Sequence, residues 1–180
     1  MNSDLDDLAA FSETRSVISW VLTQLDRFEP PLEQLGEYVP SSSFLGFTRR
    51  AKIRNLGEVW RLGIFLMNRD GLFLRAGEST RVVETSHVAH VSAYRAERHQ
   101  LMDAAFRGGF PAGSVVNFNT RPVLLDVDYL AAPGSSLFTR GPHTFVRWRT
   151  GSSDDEAMLF SVYMAERLEL LINPPRGATG

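Results

Sequence analysis

The chain has 180 residues, of which 43% are hydrophobic and 22% are charged, and its formal net charge is −2 at pH 7. This balance is typical of an ordinary globular protein, and the length predicts a single domain over residues 1–180. The near-neutral charge argues against nucleic acid or an anionic membrane surface as a partner, because both attract strongly basic proteins.

The chain contains no cysteine and a single lysine, Lys52. Thiol nucleophiles, cysteine-ligated zinc, iron–sulfur clusters and disulfides are therefore excluded. A Schiff-base lysine or a Ser–Lys base would have to use Lys52. The sequence assigns no cofactor.

The first residues are acidic and lack the basic and apolar regions of a secretory signal. The longest apolar run, Ile64–Met67, is far too short to span a bilayer. We therefore expect a soluble cytoplasmic protein with no membrane partner.

The N-terminal segment is predicted to be a helix, capped by Ser3 and Asp6 and ended by Pro30-Pro31. Its apolar stripe comprises Val17, Val21, Leu25 and Phe28. A short helical turn is predicted around Leu32 to Tyr38, and a long surface loop from Pro40 to Gly57.

Alternating residues predict a strand from Trp60 to Met67. An Asp-Gly turn at 68–71 leads to a partner strand, Leu72 to Arg75. A second turn at 76–79 and a third strand from Thr80 to Glu84 follow.

A helix is predicted from Ser92 to Arg107, ended by Gly108-Gly109. Short strands are expected at 114–118 and 123–125, and a hairpin at 137–139 and 144–148. A capping box of Ser153 and Glu156 predicts the last helix, with a frayed tail over 173–180. Its predicted buried stripe comprises Met158, Val162, Ala165, Leu168 and Ile172. These elements predict an α+β fold, in which three main helices, N-terminal, central and C-terminal, pack on an antiparallel or mixed sheet of hairpins.

The densest group of titratable residues contains Glu84, His87 and His90, followed by His99 and Asp103. In a helix, His87 and His90 would share a face and could bind a divalent metal with Glu84 or His99. In a strand, the same spacing puts the two histidines on opposite faces. The pattern therefore allows a metal site or a polar turn that leads into the next helix.

Basic residues cluster in the predicted loop, at Arg49, Arg50, Lys52 and Arg54. They could hold a phosphate, a carboxylate or a nucleic-acid backbone. The preferred explanation is a solvated basic loop that balances the acidic helices.

Asn117, Asn119 and Arg121 would share one face if their segment is extended. Two amides and a guanidinium in a row, with Arg81 nearby, could line a polar pocket. The alternative is that these residues make turn hydrogen bonds at the end of a strand.

Several short motifs resemble those of a group of uncharacterised actinobacterial proteins of similar length, some of which carry a glutaminase label. The motifs are Trp60-Arg61-Leu62-Gly63, Asn68-Arg69-Asp70-Gly71, Arg75-Ala76-Gly77, Thr80-Arg81, residues 104–110, Val116-Asn117-Phe118 and Pro174-Pro175. The serine-dependent glutaminases, which resemble β-lactamases, use a Ser-x-x-Lys motif, but here Arg49 stands three residues before Lys52. The amidotransferase type needs a nucleophilic cysteine. Classical glutaminase chemistry is therefore disfavoured, and no catalytic residue is transferred.

These observations favour a protein that binds a small anionic or polar ligand, or a protein partner, at Arg81, Asn117, Asn119 and Arg121. One alternative is a metal-dependent hydrolase that uses His87, His90 and Asp103 or Glu84. Another is a structural homo-oligomer, in which the strands from Trp60 to Met67 and from Leu72 to Arg75 complete a sheet with a second copy.

Overall fold

The computed structural model describes residues 2–44, 47–83, 93–132, 134–149, 151 and 153–175. Over these residues the protein has an α+β fold, as predicted, with helices and a mixed sheet. The helices are α1 Asn2–Phe28, α2 Ala93–Arg107, α3 Val127–Ala131 and α4 Phe160–Ile172. None of them is both long and apolar enough to cross a bilayer.

Twelve short strands alternate with these helices in the described residues. They are β1 Glu33–Val39, β2 Ser42–Phe44, β3 Phe47–Arg49, β4 Lys52–Leu62, β5 Phe65–Met67, β6 Phe73–Arg75, β7 Glu78–Arg81, β8 Val115–Phe118, β9 Arg121–Pro122, β10 Leu137–Arg140, β11 His143–Val146 and β12 Met158–Leu159. The main sheet has seven strands, in the hydrogen-bonded order β7-β8-β1-β4-β5-β6-β9. The strands β10, β11 and β12 form a separate antiparallel sheet, and β2 pairs with β3.

The chain divides into two compact units. The first unit comprises Met1–Pro31, Trp60–Arg75 and Pro122–Gly180, and the second comprises Leu32–Val59 and Ala76–Arg121. The single domain over residues 1–180 stays a prediction.

In the second unit, two predictions made from the sequence are wrong. The helical turn expected at Leu32 to Tyr38 is a strand, and the loop expected at Pro40 to Gly57 forms the β2–β3 hairpin and most of β4. Seven residues of β1 pair antiparallel with β4, across a bulge between Leu35 and Gly36. The predictions failed because this pairing joins two separate segments, and it supplies each with the backbone partners that a strand requires.

In the first unit, the strand predicted from Trp60 to Met67 is two strands, β4 and β5, joined by a turn at Gly63 and Ile64. Trp60 pairs with Met67 and Leu62 with Phe65. Because the two-residue turn leaves the alternation of apolar residues intact, the sequence pattern predicts one continuous strand across it. The hairpin between β5 and β6, with its Asp-Gly turn, is confirmed.

The turn at Gly63 is held by α4. The hydroxyl of Tyr163 accepts a hydrogen bond from the Ile64 N–H at 2.9 Å, and Arg75 Nη1 donates to the Ile64 carbonyl at 3.2 Å. Gly63 has a φ of +65°, and a Cβ there would overlap the Tyr163 hydroxyl. Burial raises the pKa of Tyr163 above its ordinary value.

The core of the first unit is aromatic. Phe65 packs on Phe73 with ring centroids 4.8 Å apart, and the rings of Phe160 and Tyr163 approach Phe65 edge-on at 6.0 Å. Such edge-to-face pairs are favoured by the ring quadrupoles and add to the burial of apolar area. The strands β5 and β6 therefore pack against the first turns of α4.

The last helix begins later than predicted. Ser153 and Glu156 form the expected capping box, but it caps a single 3₁₀ turn, Asp154–Glu156. The next two residues form β12 and pair with β11, so the helix starts at Phe160. The buried residues of α4 are Phe160, Tyr163, Met164 and Leu168. Of the predicted stripe only Leu168 is among them, and Val162 is 44% exposed.

The other elements follow the prediction more closely. The first helix is confirmed as α1, although it begins at Asn2, so that Ser3 lies inside it. The central helix is confirmed as α2, and the Gly109 φ of +80° marks its end. The strand expected at 80–84 is β7 at 78–81, and that expected at 123–125 is replaced by β9 at 121–122. The tail at 176–180 lies outside the described residues.

Arg147 ties the β10–β11 hairpin to the 3₁₀ turn. Its Nε donates to Asp154 Oδ1 at 2.7 Å and its Nη1 donates to the Ser135 carbonyl at 2.7 Å. Its guanidinium lies 4.1 Å from the centroid of the Phe138 ring. The hydrogen bond from Arg147 lowers the pKa of Asp154 below its ordinary value.

We predict that Gly63→Ala destabilises the protein by about 2–4 kcal/mol, because it adds backbone strain and displaces the Tyr163 hydroxyl. Urea unfolding followed by tryptophan fluorescence measures the change. The control is Gly71→Ala. Gly71 also has a positive φ, of +82°, but a Cβ there meets only Leu22, at 3.9 Å. This variant should lose about 1–2 kcal/mol. Equal losses in the two variants would show that Tyr163 does not hold the turn.

We predict that Asp154→Asn lowers stability at pH 7 and that the difference from the wild type disappears on acidification. Because the folded pKa of Asp154 lies below its unfolded value, its contribution is fully present above about pH 4 and is lost as the pH falls through the folded pKa. Thermal unfolding from pH 7 to pH 2 tests this. Asp155→Asn is the control, because no ion pair of Asp155 is found among the described residues. A pH-independent difference for Asp154→Asn would contradict the prediction.

Candidate functional site

A polar cleft lies in the second unit between strand β7 and helix α2. Its volume is about 500 Å³. Two glutamates, two arginines, two hydroxyl residues and two apolar residues line it. They are Glu78, Ser79, Thr80 and Arg81 of β7, Glu97, Arg98 and Leu101 of α2, and Val115 of β8. This volume falls within the range of small-molecule sites.

Buried apolar residues fix the two walls of the cleft. Ala104 and Ala105 of α2 pack on Val116 and Phe118 of β8, together with Ile53, Val82 and Phe110. Since side chains alternate along a strand, β8 turns these two residues towards α2. The strand β7 pairs antiparallel with β8 in continuous register, which places Thr80 opposite Val116 and Arg81 opposite Val115. The walls are therefore parts of one core, and the charged side chains extend from it.

The charged groups of the cleft carry both signs. Glu78 Oε1 accepts a hydrogen bond from Asn119 Nδ2 at 2.8 Å. Over the described residues, the side chains of Arg81, Glu97 and Arg98 have no ion pair or hydrogen bond. A guanidinium binds carboxylate or phosphate through parallel hydrogen bonds, and a carboxylate binds ammonium and amide donors. The cleft can therefore bind a ligand that has an anionic group and a hydrogen-bond donor.

The four ligand residues predicted from the sequence lie in different settings. Arg81 lines the cleft. Asn117 is buried, and its Nδ2 donates to Glu33 Oε2 at 2.7 Å and to the Gln34 carbonyl at 3.3 Å. Asn119 lies beyond the end of β8 with a φ of +52° and reaches the cleft through Glu78. Arg121 is exposed in β9 and is not part of the lining.

The sequence analysis did not identify three charged residues of the lining, namely Glu78, Glu97 and Arg98. Glu78 was assigned to a turn. Glu97 lies four residues before Leu101, so the two share a helix face, and that spacing is a usable signal once the buried face of α2 is known. Nothing in the local sequence indicates that this face meets β7.

The predicted metal site, Glu84, His87 and His90, lies outside the described residues. His99 and Asp103 lie in α2 and are partly buried. Within the described ranges, no group of three or more histidines, aspartates or glutamates is placed to hold a metal ion. The metal site and the hydrolase alternative stay predictions.

The predicted basic loop is extended structure in the second unit. Arg49 ends β3, Lys52 begins β4, and Arg54 pairs with Glu37 across the ladder between β1 and β4. None of these residues lines the cleft. The Arg54–Glu37 pair is half-exposed and contributes little to stability.

A second cleft, of about 530 Å³, lies between α1 and α4 in the first unit. Its wall is largely apolar and includes Trp20, which is 47% exposed, and Phe28, which is 51% exposed. Its polar residues are Gln24, Glu169 and Asn173, and Asn173 Nδ2 already donates to Glu169 Oε1 at 2.9 Å. The cleft beside β7 offers more groups that can recognise a ligand.

We predict that Asn117 supports the sheet. Asn117→Ala removes two hydrogen bonds from a buried amide to part-buried acceptors of β1 and should cost about 1–3 kcal/mol of unfolding free energy. Asn119→Gly is the matched change, because it removes an exposed amide and suits the positive φ. It should cost less than about 0.5 kcal/mol. Chemical denaturation measures both, and a neutral Asn117→Ala would show that these hydrogen bonds do not stabilise the sheet.

Comparison of the chain with protein-family models, with curated proteins and with solved structures finds no match. The resemblance to actinobacterial proteins stays a prediction.

Proposed function

We propose that the protein binds a small polar ligand with an anionic group in the cleft between β7 and α2. Arg81 and Arg98 pair with the anionic group, and Glu97 accepts a hydrogen bond from a donor elsewhere on the ligand. The observation that carries this proposal is the set of opposite charges, from a strand and a helix, around one cavity of about 500 Å³.

The charges of the lining favour a ligand over a purely structural role. Ion pairs that serve a fold are usually closed within it, as Arg147 and Asp154 are at 2.7 Å. In the described part of the second unit, Arg81 and Arg98 have no such partner. A ligand with an anionic group and a hydrogen-bond donor would give both the guanidiniums and the carboxylates of the lining a partner.

The apolar residues of the lining set the character of the ligand. Leu101 and Val115 are partly buried, and they give the ligand a small apolar surface to cover. Ser79 and Thr80 add hydroxyls on the strand side. A ligand of this description has a short apolar body, an acidic group and a donor, as an amino acid does.

The test measures binding of inorganic phosphate, glutarate and L-glutamate by calorimetry, with the wild type and the variants Arg81→Ala and Arg98→Ala. Loss of one charge-assisted hydrogen bond is worth about 1.5–3 kcal/mol, so each variant should bind about 10–100-fold more weakly. Arg50→Ala is the matched control, because Arg50 is exposed in the same unit and does not line the cleft.

A bound ligand should also raise the melting temperature of the wild type more than that of either arginine variant. Binding that is equal in the wild type, Arg81→Ala and Arg98→Ala would refute the assignment of this site.

A further inference from the structure

We propose that the ligand of this cleft is an extended peptide segment, which pairs with β7 as an additional strand. The inference rests on the proposed function, because it assigns a chemical class to the ligand of the same site. Peptides commonly bind to a free strand edge in this way, with backbone hydrogen bonds for affinity and side-chain contacts for selectivity.

The backbone N–H and carbonyl groups of β7 point alternately to the two sides of the strand. The N–H of Val82 donates to the Ser114 carbonyl at 2.9 Å, and the Val82 carbonyl accepts from Gly113 at 2.8 Å. Val82 therefore turns its backbone towards the neighbouring segment. In an antiparallel pair, hydrogen-bonded positions alternate with positions whose backbone groups point away. Thr80 and Glu78 then also face β8, while Ser79 and Arg81 face outward.

In the described part of the chain, β7 is the last strand of its sheet. Two N–H groups and two carbonyls, from Ser79 and Arg81, point to this edge at the two-residue spacing that a partner strand requires. Ser79 and Arg81 also line the cleft. Residues of this edge thus line the cleft, and an occupant of the cleft can reach these four groups, which have no strand partner among the described residues.

The length of β7 and the charges on α2 indicate the size and the charge of the peptide. Four residues of β7 span about 13 Å, which matches a peptide of four or five residues. Alternate side chains of an added strand point to the same side as α2, where Glu97 and Arg98 lie. A peptide with an acidic and a basic residue two positions apart places both charges on that side. Leu101 gives an apolar contact beside them.

The charges at the edge also select against unsuitable strands. Glu78 and Arg81 are exposed at the two ends of β7. Charged residues on an edge strand discourage pairing with uncharged strands, because the charges would lose water without a partner. A peptide of mixed charge supplies that partner.

The probe is a capped pentapeptide, Val-Glu-Val-Lys-Val, titrated into the protein as it is and monitored by amide chemical shifts. Two N-methylated analogues accompany it, one with methyl groups on the backbone nitrogens of the charged residues and one with them on those of the valines. Only alternate N–H groups of an added strand face β7. One analogue should therefore bind at least tenfold more weakly than the parent, and the other should bind equally well.

Two protein variants test the same contact from the other side. Ser79→Pro removes an outward N–H and spares the hydrogen bonds to β8, a position where an edge strand tolerates proline. It should bind the peptide at least tenfold more weakly than Ser79→Ala, which also loses the hydroxyl but keeps the backbone N–H. The two variants should bind glutarate with equal affinity, because they differ at this edge only in that N–H. If Ser79→Pro does not fold, the methylated peptides decide the question with the wild-type protein.

The outcomes separate this inference from the proposed function. Equal binding of the parent peptide and both methylated analogues would overturn strand addition, even if Arg81→Ala and Arg98→Ala still weaken the binding of glutarate. If the arginine variants bind every probe normally, the proposed function fails as well. A dimer in light scattering that Ser79→Pro dissociates and the peptide does not would identify a second copy as the occupant and would also overturn the peptide assignment.

Discussion

The second unit depends on the pairing of β1 with two partners. On one side β1 pairs antiparallel with β4, and on the other it pairs parallel with β8 through Gln34 and Leu35. The strand β8 in turn carries β7, and the residues of β8 that face α2 form the core beneath the cleft. Every wall of the candidate site is therefore attached, directly or through one neighbour, to β8 and its place beside β1.

The buried amide of Asn117 shows how closely the cleft and the sheet are connected. Its hydrogen bonds to Glu33 and to the Gln34 carbonyl join β8 to β1 on the side away from β7. A polar side chain that is fully buried needs such partners, because unpaired burial costs free energy. The same residue type two positions later has a different role. Asn119 ends the strand with a positive φ and holds Glu78 at the rim of the cleft.

Local signals predicted much of the fold, and non-local pairing accounts for most of the rest. The helices α1 and α2, and the Asp-Gly hairpin, follow from caps, periodicity and turn residues within short windows. The strand β1 could not be recognised, since its residues are half polar and it includes Gly36, where an added Cβ would overlap Ile53 and crowd a backbone carbonyl of β4. The start of α4 was misplaced because β11 pairs with residues 158 and 159. In the candidate site, Arg81 was predicted from its residue type. The α2 residues beside it were not, because their position next to β7 depends on tertiary packing.

The parallel contact between β1 and β8 has a consequence for the order of folding. Asn117 and Gln34, which it brings together, are 83 residues apart in the chain. Closing so long a loop costs entropy before any contact repays it, and contacts of this kind slow folding. The β5–β6 hairpin and the helices can form early, whereas β7 gains its place only after β8 has docked. The strand edge at which we propose ligand binding is thus among the last parts to form, and spontaneous local opening of the native protein should begin there.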